Sequence, residues 1–244
     1  AARKGGAVIA LIGNHEAMNI TGDLRYVTPS EYQAFVGSKS NQARNKFYTN
    51  NREAFATKYQ SPEADTALDE AQLRAAFDRD YPLGYVEHRR AWGPKGKYGA
   101  WIVSHDALHI IDDTLFLHGG LSQDYVTLSV AEINAAIRDA LQNDPQADIL
   151  NGDNSPLWYR GNAIETPEGA LEIAAVLDAF KVSRIIIGHT PQTTGIKTLY
   201  DGKVIIVDTG MSAYYKGTRS YLRLDGEGIT AINDSTGQLL ESRP

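Results

Sequence analysis

No cysteine occurs among the 244 residues. Its absence excludes a disulfide framework, thiolate metal sites and a cysteine nucleophile, so any metal or acid–base chemistry falls to His, Asp, Asn and Glu. Basic charge is scarce as well: 24 Lys and Arg against 30 Asp and Glu leave a formal charge of −6. No run of Lys or Arg is long enough to follow a phosphate backbone, which argues against nucleic acid as a partner. No stretch approaches the roughly 20 apolar residues of a membrane span, so no membrane partner is expected. The opening AARKGGAVIALIG has only a short apolar run before its glycine and reads as a strand rather than a signal peptide. A soluble chain is expected, with cytoplasm and periplasm both open. Internal repeats and low-complexity tracts are also missing.

What is present is one design used four times. AVIALIGNHE (7–16), TLFLHGGLS (114–122), RIIIGHTPQ (184–192) and KVIIVDTGMS (203–212) each carry a short apolar or β-branched run that ends in glycine and polar residues. Continuous apolar runs predict strands buried on both faces, as in layered α/β proteins. Their polar tips are expected along one sheet edge, where ligands of such sheets sit. HDALHIIDDTLFL predicts two strands joined by a turn at Asp112 and Asp113.

Helices lie between these runs. Thr166-Pro167-Glu168 supplies an N-cap, a first-turn proline and a carboxylate near the positive helix end. Ile173, Val176, Leu177 and Phe180 follow with helical spacing. Val130, Ile133, Ile137 and Leu141 predict another helix starting near Ser129, and Ser61-Pro62-Glu63 predicts one running to about Asp78. Residues 25–90 are polar, alanine-rich and dotted with aromatics. They are expected as a helical insertion within a single domain, 1–244, lying over or beside the strand-end crevice. AWGPKGKYGAW is expected as its exit loop.

Three histidines stand beside glycine at predicted strand tips: His15 in GNHE, His118 in HGG and His189 in GHT. Glycine permits close approach of backbone to a ligand, neutral imidazole is a common metal ligand, and an asparagine such as Asn14 adds a carbonyl oxygen. The remaining histidines read as structural, His88 as a solvated residue beside two arginines and His105 and His109 as flanking a strand. Asp153 reads as a loop residue.

IGNHE, LHGGLS and IGHTP, in that order, resemble the phosphoprotein phosphatase branch of the calcineurin-like metallophosphoesterases. Within it GDLRYV, EHRRAWGPKGKYGAWI, SPLWYRG and VDTGMSAYYKG are most similar to the bacterial Shewanella-like phosphatases. The resemblance implies a layered α/β/β/α sandwich. It also implies two divalent ions (Mn, Fe or Zn), about 3.5 to 4 Å apart, that polarise the phosphoryl group and provide a metal-bound hydroxide. By the same resemblance Asn14, His118 and His189 are ligands of one metal, His15 is the general acid, and Glu16 braces the loop. Arg160 clamps phosphate, and Tyr214 or Tyr215 lines the pocket.

Pro191 replaces a second histidine that the wider group often carries. The family's GDxHG and GDxxDRG motifs, which supply the other metal's ligands and the bridging aspartate, precede GNHE and are not found here. The expectation is a fragment whose first strands lie before Ala1, with at most one well-liganded metal site. The implied activity is hydrolysis of phosphomonoesters, on a phosphoprotein (Ser/Thr or Tyr) or a small phosphoester. Two alternatives remain open: a nucleotide or dinucleoside polyphosphate hydrolase, and a non-catalytic phosphate-binding pseudophosphatase.

Overall fold

The structure, a computed structural model, describes residues 4–60, 68–234 and 236–242. In chain order the helices are α1 (Asn14–Thr21), α2 (Pro29–Gln33), α3 (Ser40–Asn50), α4 (Arg52–Tyr59), α5 (Glu70–Asp80), α6 (Tyr85–Trp92), α7 (Lys97–Val103), α8 (Val130–Asn143), α9 (Asp148–Asn151) and α10 (Pro167–Phe180). The strands are β1 (Leu108–Ile111), β2 (Thr114–Leu117), β3 (Arg184–Ile187), β4 (Lys197–Leu199), β5 (Val204–Ile206), β6 (Ser220–Asp225), β7 (Gly228–Asn233) and β8 (Thr236–Ser242). The chain divides into two compact units, one of residues 1–17 with 101–244 and one of residues 18–100.

The first unit is built on a five-stranded sheet of order β1-β2-β3-β5-β4. β2, β3 and β5 run parallel, and β1 and β4 close the edges antiparallel. Every residue of β3 is buried, as its uninterrupted Ile185-Ile186-Ile187 run demands of a strand covered on both faces. The turn between β1 and β2 falls at Asp112, whose φ of 52° suits an aspartate. β6, β7 and β8 form an antiparallel meander. Ile229 of β7 joins Ile186 and Ile205 in one cluster, which packs the two sheets face to face. The layered α/β sandwich expected from the sequence is therefore the observed fold.

Helix starts follow the local chemistry. Ser129 caps α8 by accepting from Glu132 N–H at 3.2 Å, while the Glu132 carboxylate reaches back to Ser129 N–H at 2.7 Å. Thr166 caps α10 by accepting from Gly169 N–H at 2.9 Å. Asn134 on α8 ties that helix to the β1 entry: its Oδ1 accepts from Ala107 and Leu108 N–H at 2.9 and 3.0 Å, and its amide donates to Leu108 O at 2.8 Å.

The second unit is helical among its described residues. Tyr48, Phe55, Leu73 and Phe77 form its core, with Phe47, Tyr59 and Tyr81 packed around them. The aromatics scattered through a polar sequence are thus the ones that converge. α5 is capped by Asp69, which accepts from Gln72 N–H at 2.8 Å. The start expected at Ser61-Pro62-Glu63 lies outside the described residues. No helix among the described residues is long and apolar enough to cross a membrane.

Three expectations are corrected. AVIALIG forms no strand ladder: Leu11 makes a single parallel bridge to Asp106, and Val8 and Ile9 are 87% and 48% exposed. An apolar run becomes a strand only where a neighbouring strand's backbone pairs with it, and among the described residues the one such bond is Ile12 N–H to Asp106 O at 2.9 Å. AWGPKGKYGAW is not an extended loop, because α6 runs to Trp92 and α7 begins at Lys97, leaving a turn closed by Gly96 N–H on Gly93 O at 2.7 Å. His88 is not solvated. It is 2% exposed, between the rings of Tyr32, Phe35 and Trp92.

Candidate active site

Asn14, His15 and Glu16 do not stand at a strand tip. They form the first turn of α1, and Glu16 turns back to accept from Gly13 N–H at 3.0 Å, the reach-back contact of a capping box. Glu16 thus braces the turn, which holds the Asn14 side chain at 3% exposure.

The parallel strands deliver the rest at their carboxyl ends. His118 follows β2 directly, His189 lies two residues beyond β3, and Asp208 lies two beyond β5. His118 Nε2 is 2.7 Å from Asn14 Oδ1 and 3.1 Å from His189 Nδ1. Two imidazoles and an amide oxygen from three distant segments therefore aim at one point.

The His189 backbone is forced. Its φ is 60°, and Thr190 N–H closes a three-residue turn on Gly188 O at 2.6 Å, a conformation that β-carbon-bearing residues adopt at a cost of roughly 1–3 kcal/mol. Arg160 holds that turn, its Nη1 donating to His189 O at 2.8 Å and Thr190 Oγ1 at 2.9 Å. The Trp158 ring stands edge-on to the His189 ring at 5.5 Å. The two glycines of HGG let this loop close in. A β-carbon on Gly119 would lie 2.7 Å from Pro156 O, and one on Gly120 would lie 2.8 Å from Asn162 Oδ1.

Burial pushes both imidazoles toward the neutral form. His189 falls to about 3, through burial first and then the charges of Arg160, His118 and His15. His118 is also lowered, with burial outweighing the opposing carboxylates of Glu16 and Asp208. Neutral imidazoles offer lone pairs, which is what a cation requires of them. Donors bound at about 2.1 Å in adjacent octahedral positions stand about 3.0 Å apart, close to the two separations from His118. Among the described residues no three or more His, Asp or Glu groups come together as a metal cluster. The set is two histidines and an asparagine.

Of the other expected residues, His15 sits beside Asn14 on α1, exposed, and its charge bears on both His118 and His189. Tyr214 and Tyr215 are 85% and 51% exposed and stack edge-on against each other, with no contact to the histidines described. The sequence motifs assign Asp208 no role. Its signal was available, since KVIIVDTG has the same run-then-polar-tip design as the two histidine strands.

No protein-family model matches the sequence. An uncharacterised protein of Schizosaccharomyces pombe is 28% identical over 95% of this chain and 59% of its own length. Shewanella-like protein phosphatase 2 of Arabidopsis thaliana is 29% identical over 87% of this chain and 55% of its own. The crystal structure of a cold-active protein tyrosine phosphatase from a psychrophilic Shewanella superposes with a TM-score of 0.67 at 26% identity, covering 99% of this chain and 61% of that one.

The chain is similar to Shewanella-like protein phosphatases in sequence and to a Shewanella protein tyrosine phosphatase in fold. It spans between 55% and 59% of the length of the two curated relatives. The relatives include a plant and a fungal protein beside the Shewanella structure.

Proposed function

We propose that this chain carries part or all of a divalent-metal-dependent phosphomonoesterase site, acting on a phosphorylated protein. The observation that carries the reading is the convergence of Asn14 Oδ1, His118 Nε2 and His189 Nδ1 within 3.1 Å steps. Three lone-pair donors crowded together, two of them imidazoles kept neutral by burial, have one economical partner, a cation. A divalent ion bound there would polarise a phosphoryl oxygen.

The remaining residues supply the other functions. Arg160 is exposed and, among the described residues, its hydrogen bonds run through Nη1, so its other N–H groups can take a tetrahedral anion beside His189. His15, exposed on the same turn as Asn14, can hand a proton to the departing oxygen. Asp208 and Glu16 place negative charge behind His118, which makes its ring a better donor. A phosphorylated protein as substrate is supported by the names of the relatives, protein phosphatase and protein tyrosine phosphatase.

The test is hydrolysis of phosphotyrosine and phosphoserine peptides and of a dinucleoside polyphosphate, with Mn²⁺ and with chelator. Release of phosphate from the peptides that depends on Mn²⁺ and is lost in His118→Ala agrees with the proposal. Turnover indifferent to chelator, or confined to the dinucleotide, contradicts it.

A further inference from the structure

The arginines of the helical unit share a habit. Arg25 is hydrogen-bonded to Asp23, Arg44 lies 2.6 Å from Asp78, Arg52 2.6 Å from Glu70, Arg74 3.0 Å from Asp78 and Arg79 2.9 Å from Asp80. Two arginines depart from it, Arg89 and Arg90 at the end of α6. They line one cleft of about 670 Å³ together with Lys95 and Lys97 of the following turn. None of the four makes an ion pair with a carboxylate among the described residues.

Arg89 is the least exposed of the four, and its guanidinium is fixed by backbone carbonyls alone: it donates to Asn19 O and, at 3.0 Å, to Ile20 O. These are last-turn carbonyls of α1, the negative end of that helix, so Arg89 is held by a helix terminus and not by a carboxylate. The single acid on the wall, Glu87, is itself held by Ser40 Oγ–H at 2.7 Å. The cleft therefore carries four positive charges against one negative in a chain whose formal charge is −6. Between the charges lie Ala91, Pro94 and the aliphatic stems of the basic residues.

We propose that this cleft binds an acidic stretch of polypeptide. It is far larger than one phosphate ion, and its cations are spread along a helix end and a turn rather than focused on one point. An extended segment with several carboxylates matches both features, its apolar atoms lying on Ala91 and Pro94. Nucleic acid fits less well, because the chain is acidic overall, with a formal charge of −6. That the acidic segment belongs to a substrate rests on the phosphatase reading, whereas its binding does not.

The experiment is fluorescence anisotropy of a labelled glutamate-rich peptide titrated with the full chain at low salt, against the same peptide with glutamine for glutamate. The variant is the triple Arg90→Gln, Lys95→Gln, Lys97→Gln, all at exposed positions, with Arg89 left to its backbone contacts. Saturable binding of the glutamate peptide is expected. It should weaken about ten-fold in the triple variant and also in high salt, where the charges are screened. Lys95→Arg with Lys97→Arg should keep it, which separates loss of charge from loss of fold. Equal binding of the two peptides, equal binding by wild type and the triple variant, or tighter binding of an oligonucleotide of matched charge would overturn the proposal. Loss of phosphate release with peptide binding intact would instead count against the phosphatase reading alone.

Discussion

Asn14 Oδ1 and His118 Nε2 lie 2.7 Å apart although 104 residues separate them in the chain. An amide oxygen brought that close to an imidazole nitrogen, with a second imidazole 3.1 Å further on, is a site in which charge decides affinity. Asn14→Asp places a full negative charge where the amide oxygen was. Mn²⁺ should bind about ten-fold more tightly or better in this variant, by calorimetric titration, because a carboxylate interacts with a dication far more strongly than a neutral carbonyl.

His15 shares its helical turn with Asn14 but is exposed rather than buried. If it donates the proton to the leaving oxygen, His15→Gln should lower kcat by about 10² to 10⁴ while leaving Mn²⁺ affinity unchanged. The loss should shrink for an aryl phosphate whose leaving group needs no proton. Equal losses for alkyl and aryl substrates would remove His15 from that role.

Gly119 sits where a β-carbon would meet Pro156 O at 2.7 Å and Leu157 C at 2.9 Å, both backbone atoms that cannot step aside alone. Gly119→Ala should cost roughly 1–3 kcal/mol of stability, as overpacking in a tight interior does. The strain falls on the loop that carries Arg160, so KM for phosphoesters should rise as well. Thermal unfolding with steady-state kinetics reads both effects.

Two buried imidazoles, His88 and His189, and the half-buried one of His118 make stability depend on pH. His189 has a pKa of about 3, and those of His118 and His88 are lowered, each with burial as the largest cause. In the unfolded chain the same rings take a proton near pH 6.5. The unfolded state therefore binds more protons between about pH 6.5 and the folded values, so stability is complete above that window and is lost as pH falls into it. The urea midpoint should be lower at pH 5 than at pH 7.5. His88→Leu, in the aromatic cage of the helical unit, should narrow the difference. A midpoint that rises on acidification would reverse the assignment.

Much of the fold could be read before the structure. Ile185–Ile187 is apolar at every position, and only a strand covered on both sides satisfies that. Ser129 with Glu132, and Thr166 with Pro167, mark helix starts because their side chains close local hydrogen bonds. His118 and His189 were legible because glycine and histidine recurred together at run ends. The errors have a common cause, since sequence pattern reports what a segment is suited to and not which neighbour it meets. AVIALIG has a strand's composition, but its one strand-like pairing among the described residues is that of Leu11 and Ile12 with Asp106. The charged sequence neighbours of His88 point to solvent, whereas Tyr32 and Phe35, more than fifty residues away along the chain, are what bury it. Asp208 was passed over because it lacks the accompanying histidine, although its strand runs parallel to β3 and ends at the same edge.

The central claim is that Asn14, His118 and His189 together hold one divalent cation. Electron paramagnetic resonance of Mn²⁺ titrated into the chain measures it directly, since free aqueous Mn²⁺ gives a sharp signal that binding removes. Saturable loss of signal is predicted for the wild type. In His118→Ala and in His189→Ala the affinity should fall at least about ten-fold. Binding of equal strength in wild type and both variants would contradict the account.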